Sequence, residues 1–123
     1  MFKSTLIITG FFLLGTIPVL AQDCSNAISQ PELNKCAQAE YASADKKLNT
    51  IYNSYRNLLD DKGKKSLLAM QKQWINFRDL ACKHEAAYFE GGTVQPMVFA
   101  SCMRNLTEAQ TKLIQDWLER EKL

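Results

Sequence analysis

The sequence predicts an all-α fold: an antiparallel helical hairpin plus a third, shorter helix, stapled by two disulfides. Three observations carry this. Apolar residues recur three and four positions apart along 30–59, 67–82 and 106–118, the spacing of one face of an α-helix. Asp60-Asp61-Lys62-Gly63 and Gly91-Gly92 interrupt that rhythm where helices would end. Four cysteines in a small chain, all beyond position 21, read as a disulfide framework.

The chain divides into residues 1–21 and 22–123. Lys3 precedes an apolar run from Leu6 to Leu20, and Val19-Leu20-Ala21 offers small side chains where a signal peptidase reads. This is a secretory signal peptide with cleavage after Ala21. A retained membrane anchor fits less well, because the run is short and Pro18 interrupts it. A lipoprotein is disfavoured by Asp23, which stands before Cys24 where lipid attachment wants a small neutral residue. The rest is a single domain, expected in the periplasm or secreted, with no stable membrane insertion after cleavage. Removing Lys3 with the leader takes the formal charge from +2 to about +1. That balance, with no basic run interleaved with aromatics, excludes nucleic acid as the expected partner.

The first helix is expected from Ser29 to about Leu59. Ser29 caps it, Glu32 completes a capping box three residues on, and Pro31 falls in the first turn, where its missing N–H costs nothing. Leu33, Ala37, Tyr41, Ala44, Leu48, Ile51, Tyr55 and Leu58 form its apolar face. Gly63 is expected to supply a left-handed turn after it. The second helix is expected from Lys64 to about Phe89. Its face collects Leu67, Met70, Gln71, Trp74, Ile75, Arg78, Ala81 and Cys82, while Lys65, Lys72, Gln73, Asn76, Asp79 and Lys83 form a wet surface. Thr107-Glu108-Ala109-Gln110 is a second capping-box pattern and is expected to open the third helix. A short turn is expected at 97–100.

Gln71 and Arg78 lie in the middle of an apolar stripe, so both need partners. In an antiparallel hairpin closed at 60–63, facing residues have numbers summing to about 125. That pairs Arg78 with Asp45 and places Tyr52 or Asn49 near Gln71. Asp45, Gln71 and Arg78 are therefore expected to form a structural polar core that fixes helix register. The expected disulfides are Cys24–Cys36 and Cys82–Cys102, each closing a local loop. The crossed pairing, Cys24–Cys102 with Cys36–Cys82, stays open. A metal site would want close cysteine pairs, and there are none.

No catalytic constellation emerges. His84, the only histidine, stands beside Lys83 and Glu85 without a nucleophile or an orienting group. Carboxylates from Glu32, Glu40, Asp45 or Glu85 single out no pair. Tyr41, Tyr52, Tyr55, Trp74 and Phe77 read as core. The chain is expected to be no enzyme and to need no cofactor.

Tyr41, Asp45, Leu48-Asn49 and Tyr52 after a helix-one cysteine, then Leu68, Gln71, Trp74, Phe77-Arg78 and Cys82, then Gly91-Gly92, Cys102 and Leu106-Thr107, make a specific combination. It resembles the N-terminal domain of the LprI-type lysozyme inhibitors, and the likeness runs from Cys24 to Leu118. One departure is Gln110, where many members carry arginine. The resemblance implies an exported, disulfide-stapled helical domain and a protein partner, lysozyme, blocked sterically without covalent chemistry. Animal lysozymes are strongly basic, whereas this chain offers only local acid, at Asp60-Asp61 and from Glu85 to Glu90. The loop Glu90, Gly91, Gly92 and Thr93 is the expected insertion element. The alternative is a helical adaptor or immunity-type module gripping another envelope protein.

Overall fold

The computed structural model describes residues 24–123; the expected signal peptide and its cleavage site lie outside them. After a 3₁₀ turn at Cys24–Asn26 come three helices: α1 (Gln30–Arg56), α2 (Asp61–Ala87) and α3 (Gln95–Arg120). No described residue forms a strand. Both local disulfides are present, Cys24–Cys36 and Cys82–Cys102, with Cα–Cα distances of 5.7 and 5.5 Å. The crossed pairing is thereby excluded.

The start of α1 follows from its sequence. The Ser29 hydroxyl accepts from the Glu32 amide at 3.4 Å, and the Glu32 carboxylate accepts from the Ser29 and Ile28 amides at 3.0 and 3.1 Å. Those bonds hold the Glu32 carboxyl below the usual carboxylate range.

Two expectations fail at helix starts. Gly63 is not a left-handed turn; among the described residues only Gly91 has positive φ, at 76°. Asp60 caps α2 instead, its Oδ1 accepting from the Gly63 amide at 2.7 Å. A Cβ on Gly63 would come within 3.1 Å of the Leu59 Cβ, so the glycine permits close packing of this first turn. Thr107 does not open α3. That helix begins twelve positions earlier, at Gln95 with Pro96 in its first turn, and at 26 residues is shorter than α1 and α2 by a single residue. The expected turn at 97–100 is its beginning. Thr107 is fully buried in mid-helix, where its carbonyl accepts from the Thr111 hydroxyl.

The helices run up, down and up, and α3 makes the core. It buries Ala100, Cys102, Met103, Thr107, Gln110, Thr111, Ile114 and Leu118 along its length. Both α1 and α2 pack mainly on α3 rather than on each other. Bonded partners on α1 and α3 stay 64 to 67 positions apart, as parallel helices require. Partners on α2 and α3 separate progressively, by 20, 29 and 39 positions, as antiparallel helices require. Cys82, Cys102 and Met103 form a buried cluster, covered by Tyr41, Phe99 and Leu106. Among the described residues no helix is long and apolar enough to cross a membrane.

Two stability tests follow from this framework. Ser29→Ala should cost about 1 kcal/mol in urea unfolding at pH 7. The Glu32 part of the cap is fully present above the unfolded carboxylate pKa and is lost as pH falls through the lower folded value. Glu32→Gln should therefore flatten the acid side of the stability profile. Replacing both Cys82 and Cys102 with alanine should cost about 3 kcal/mol, the chain-entropy value for a loop of this size.

Candidate functional site

Arg78 lies at the junction of all three helices with its side chain 8% exposed. Its Nη1 is 3.5 Å from Asp45 Oδ1 on α1 and donates to Thr107 Oγ1 on α3 at 3.3 Å. Its Nε donates to Asp79 Oδ1 at 3.0 Å. The guanidinium carbon is 5.0 Å from the Trp74 ring centroid and 5.7 Å from that of Tyr41. Cation–ring attraction therefore adds to two carboxylates and a hydroxyl. Burial raises the Tyr41 phenol above its ordinary value; Arg78 opposes the shift, and Asp45 and Asp79 reinforce it.

Gln71 is also buried, but not beside Tyr52 or Asn49. Its Oε1 accepts from Gln110 Nε2 at 3.0 Å. The reason is architectural: α3 stands where the hairpin argument placed α1. Gln110, the departure from the family pattern, is thus the buried partner of Gln71. No described buried side-chain nitrogen or oxygen lacks a hydrogen-bond partner.

The loop from Glu90 to Thr93 is exposed. It is also fastened. The Gly92 amide donates to the Phe89 carbonyl at 2.9 Å, the Gln95 amide to Gly92, and Asn34 Nδ2 reaches from α1 to the Thr93 carbonyl at 2.9 Å. Gly91 takes the left-handed conformation that glycine adopts without strain.

An open groove of about 730 Å³ runs between α1 and α3, lined among others by Glu40, Lys47, Arg104, Glu108, Asp116 and Glu119. Arg104 pairs with Glu40 and Lys112 with Asp116, so opposite charges alternate there and no concentrated field develops. Among the described residues no cluster of three or more histidine, cysteine, aspartate or glutamate side chains is placed to hold a metal. His84 is exposed and packs edge-on against Tyr88, ring centroids 5.8 Å apart.

The outer face of α2 corrects the reading of a plain wet surface. Phe77 and Leu80 are each 58% exposed and Tyr88 is 80% exposed. Phe77 is thus not core, and Ile75 is only partly covered, at 40%. Positions 77, 80, 84 and 88 recur at helical spacing on the side away from Arg78, a pattern visible in the sequence once that face is separated from the buried one.

The family described as "Lysozyme inhibitor LprI" matches residues 21–113. An uncharacterized protein of Rhizobium meliloti (strain 1021) is 30% identical over 121 residues, covering 85% of this chain and 87% of that relative. No solved structure is significantly similar. With its disulfides, its three helices and its inward-facing polar junction, the chain belongs to the LprI lysozyme inhibitor family.

Proposed function

We propose that this protein is exported through a signal peptide cleaved after Ala21, works in the periplasm, and inhibits a lysozyme by non-covalent occlusion of its substrate cleft. Membership of the lysozyme inhibitor family is the observation that carries the reading. Two disulfides support it, since such bonds persist in oxidising compartments outside the cytoplasm.

On this reading the polar junction is scaffold and the loop is the tool. Asp45, Gln71 and Arg78 fix helix register, because Arg78 is spent on Asp45, Asp79 and Thr107 and Gln71 on Gln110. Glu90, Gly91, Gly92 and Thr93 enter the enzyme's cleft. The loop projects at the α2–α3 junction, has no bulky side chain at its tip, and is held to α1 through Asn34. A loop held in place before binding loses less entropy on docking.

Turbidity of cell walls treated with c-type lysozyme tests the activity. Oxidised protein should slow clearing in proportion to its concentration. Shortening the loop by removing Gly91 and Gly92 should abolish that effect while leaving the thermal transition in place. Inhibition that survives the deletion removes the loop from the mechanism. No inhibition by folded wild-type protein, together with capture of a different envelope protein, favours the adaptor reading.

The scaffold role has its own test. Arg78→Leu should destabilise the fold by about 2 kcal/mol in urea unfolding. That is less than the 3–5 kcal/mol expected for breaking a fully buried pair, because water can reach the half-exposed Asp45 and Asp79 carboxylates. Unchanged stability with lost inhibition would make Arg78 a recognition residue.

A further inference from the structure

The first two turns of α1 reach the loop through a relay of two side chains. Asn34 Nδ2 donates to the Thr93 carbonyl at 2.9 Å, and Asn34 Oδ1 accepts from Gln30 Nε2 at 2.8 Å. Gln30 Nε2 also lies 3.7 Å from the Met97 sulfur, in the first turn of α3. A glutamine and an asparagine four positions apart steady a helix slightly by themselves. These two go further, because their other contacts lie 59 and 67 positions away, at the end of the loop and in the helix that follows it.

We propose that Gln30 is a positioning residue: acting through Asn34, it fixes the conformation in which the loop from Glu90 to Thr93 is held out. The consequence for inhibition rests on the reading that this loop enters the enzyme's cleft. Donor and acceptor chemistry carries the inference. An asparagine amide can turn over, exchanging its oxygen and its nitrogen. Gln30 presents a donor, so it holds the Asn34 oxygen toward itself and leaves the Asn34 nitrogen to face Thr93. The turned-over amide would set two NH₂ groups against each other and two carbonyl oxygens against each other. Gln30 thereby selects the one orientation that fastens the loop.

Two features keep the relay in place. The Cys24–Cys36 disulfide closes a ring of chain that contains Ser29, Gln30, Glu32 and Asn34, so this helix start frays less than a free one. Gln30 and Asn34 are both half-buried, which limits competition from water for their bonds. On the loop side, the Gly92 amide is bonded to Phe89 and the Gln95 amide to Gly92. Holding the Thr93 carbonyl therefore anchors a segment already folded on itself.

Amide hydrogen exchange at Gly92 and Gln95 in the oxidised protein tests the relay, and inhibition of cell-wall clearing by c-type lysozyme is read beside it. Asn34→Ala should speed exchange at both amides about tenfold, the worth of one ordinary hydrogen bond. Gln30→Glu should speed it about fivefold, because a carboxylate can only accept and draws Asn34 Nδ2 away from Thr93. The same carboxylate in the first helical turn favours α1, so the thermal transition should not fall. A residue that served the helix alone would leave the loop unchanged in that variant. The double variant should match Asn34→Ala, since Gln30 acts through Asn34. Loop exchange unchanged by Asn34→Ala or by Gln30→Glu overturns the relay. So does an equal rise around Arg78, or a Gln30→Glu effect that persists in full without Asn34. A loosened loop with unaltered inhibition upholds the relay and overturns the insertion reading instead.

Discussion

The structure depends on one buried positive charge. A guanidinium withdrawn from water costs several kcal/mol unless charge and hydrogen bonds meet it. Here α1 brings Asp45, α3 brings Thr107, and α2 itself brings Asp79 and Trp74. Meeting those demands at once leaves little freedom in how the three helices are set. One turn further along α2 lies Cys82, joined to Cys102; two turns back lies Gln71, joined to Gln110. The α2–α3 seam is thus a ladder with three rungs: a disulfide, a guanidinium-to-hydroxyl hydrogen bond and an amide-to-amide hydrogen bond. The first helix is fastened by different means: Asp45, the Arg104–Glu40 pair and Asn34 against the loop, while the Cys24–Cys36 disulfide ties the N-terminal turn to it.

That inner arrangement shapes how function can be carried. A junction whose buried polar groups are all partnered offers little to a ligand. Recognition then falls to surfaces the scaffold holds out, and two differ in character. The loop after α2 is small, glycine-bearing and pinned at both ends, suited to a narrow cleft. The outer face of α2 instead holds Phe77, Leu80 and Tyr88 out to water.

Much of this was legible in the residues. The Ser29 cap, the local disulfides and the need of Arg78 for a carboxylate follow from chemistry that acts over short distances or tolerates few solutions. The misreadings share a cause. Thr107-Glu108-Ala109-Gln110 has the letters of a capping box, but the Thr107 hydroxyl is engaged by Arg78, a partner 29 positions away. Gly63 has the composition of a turn, yet Asp60, three positions before it, caps the helix start. Pairing α1 with α2 alone sets Gln71 against α1, and the third helix changes which face is opposite. Phe77 has the residue type of a core position, but its place on the helix puts it on the far side of α2 from Arg78. Local rules located the helices; which helix covers which required the third one.

A double-mutant cycle between Arg78 and Thr107, read by urea unfolding, tests the central claim most directly. Arg78→Leu, Thr107→Val and the combined variant report how strongly α2 and α3 are coupled through the guanidinium. The account predicts that the two losses are far from additive, with a coupling of about 1 kcal/mol or more, because the hydroxyl matters chiefly while the arginine is present. Additive losses, with coupling near zero, would mean that the buried charge does not hold these helices in register.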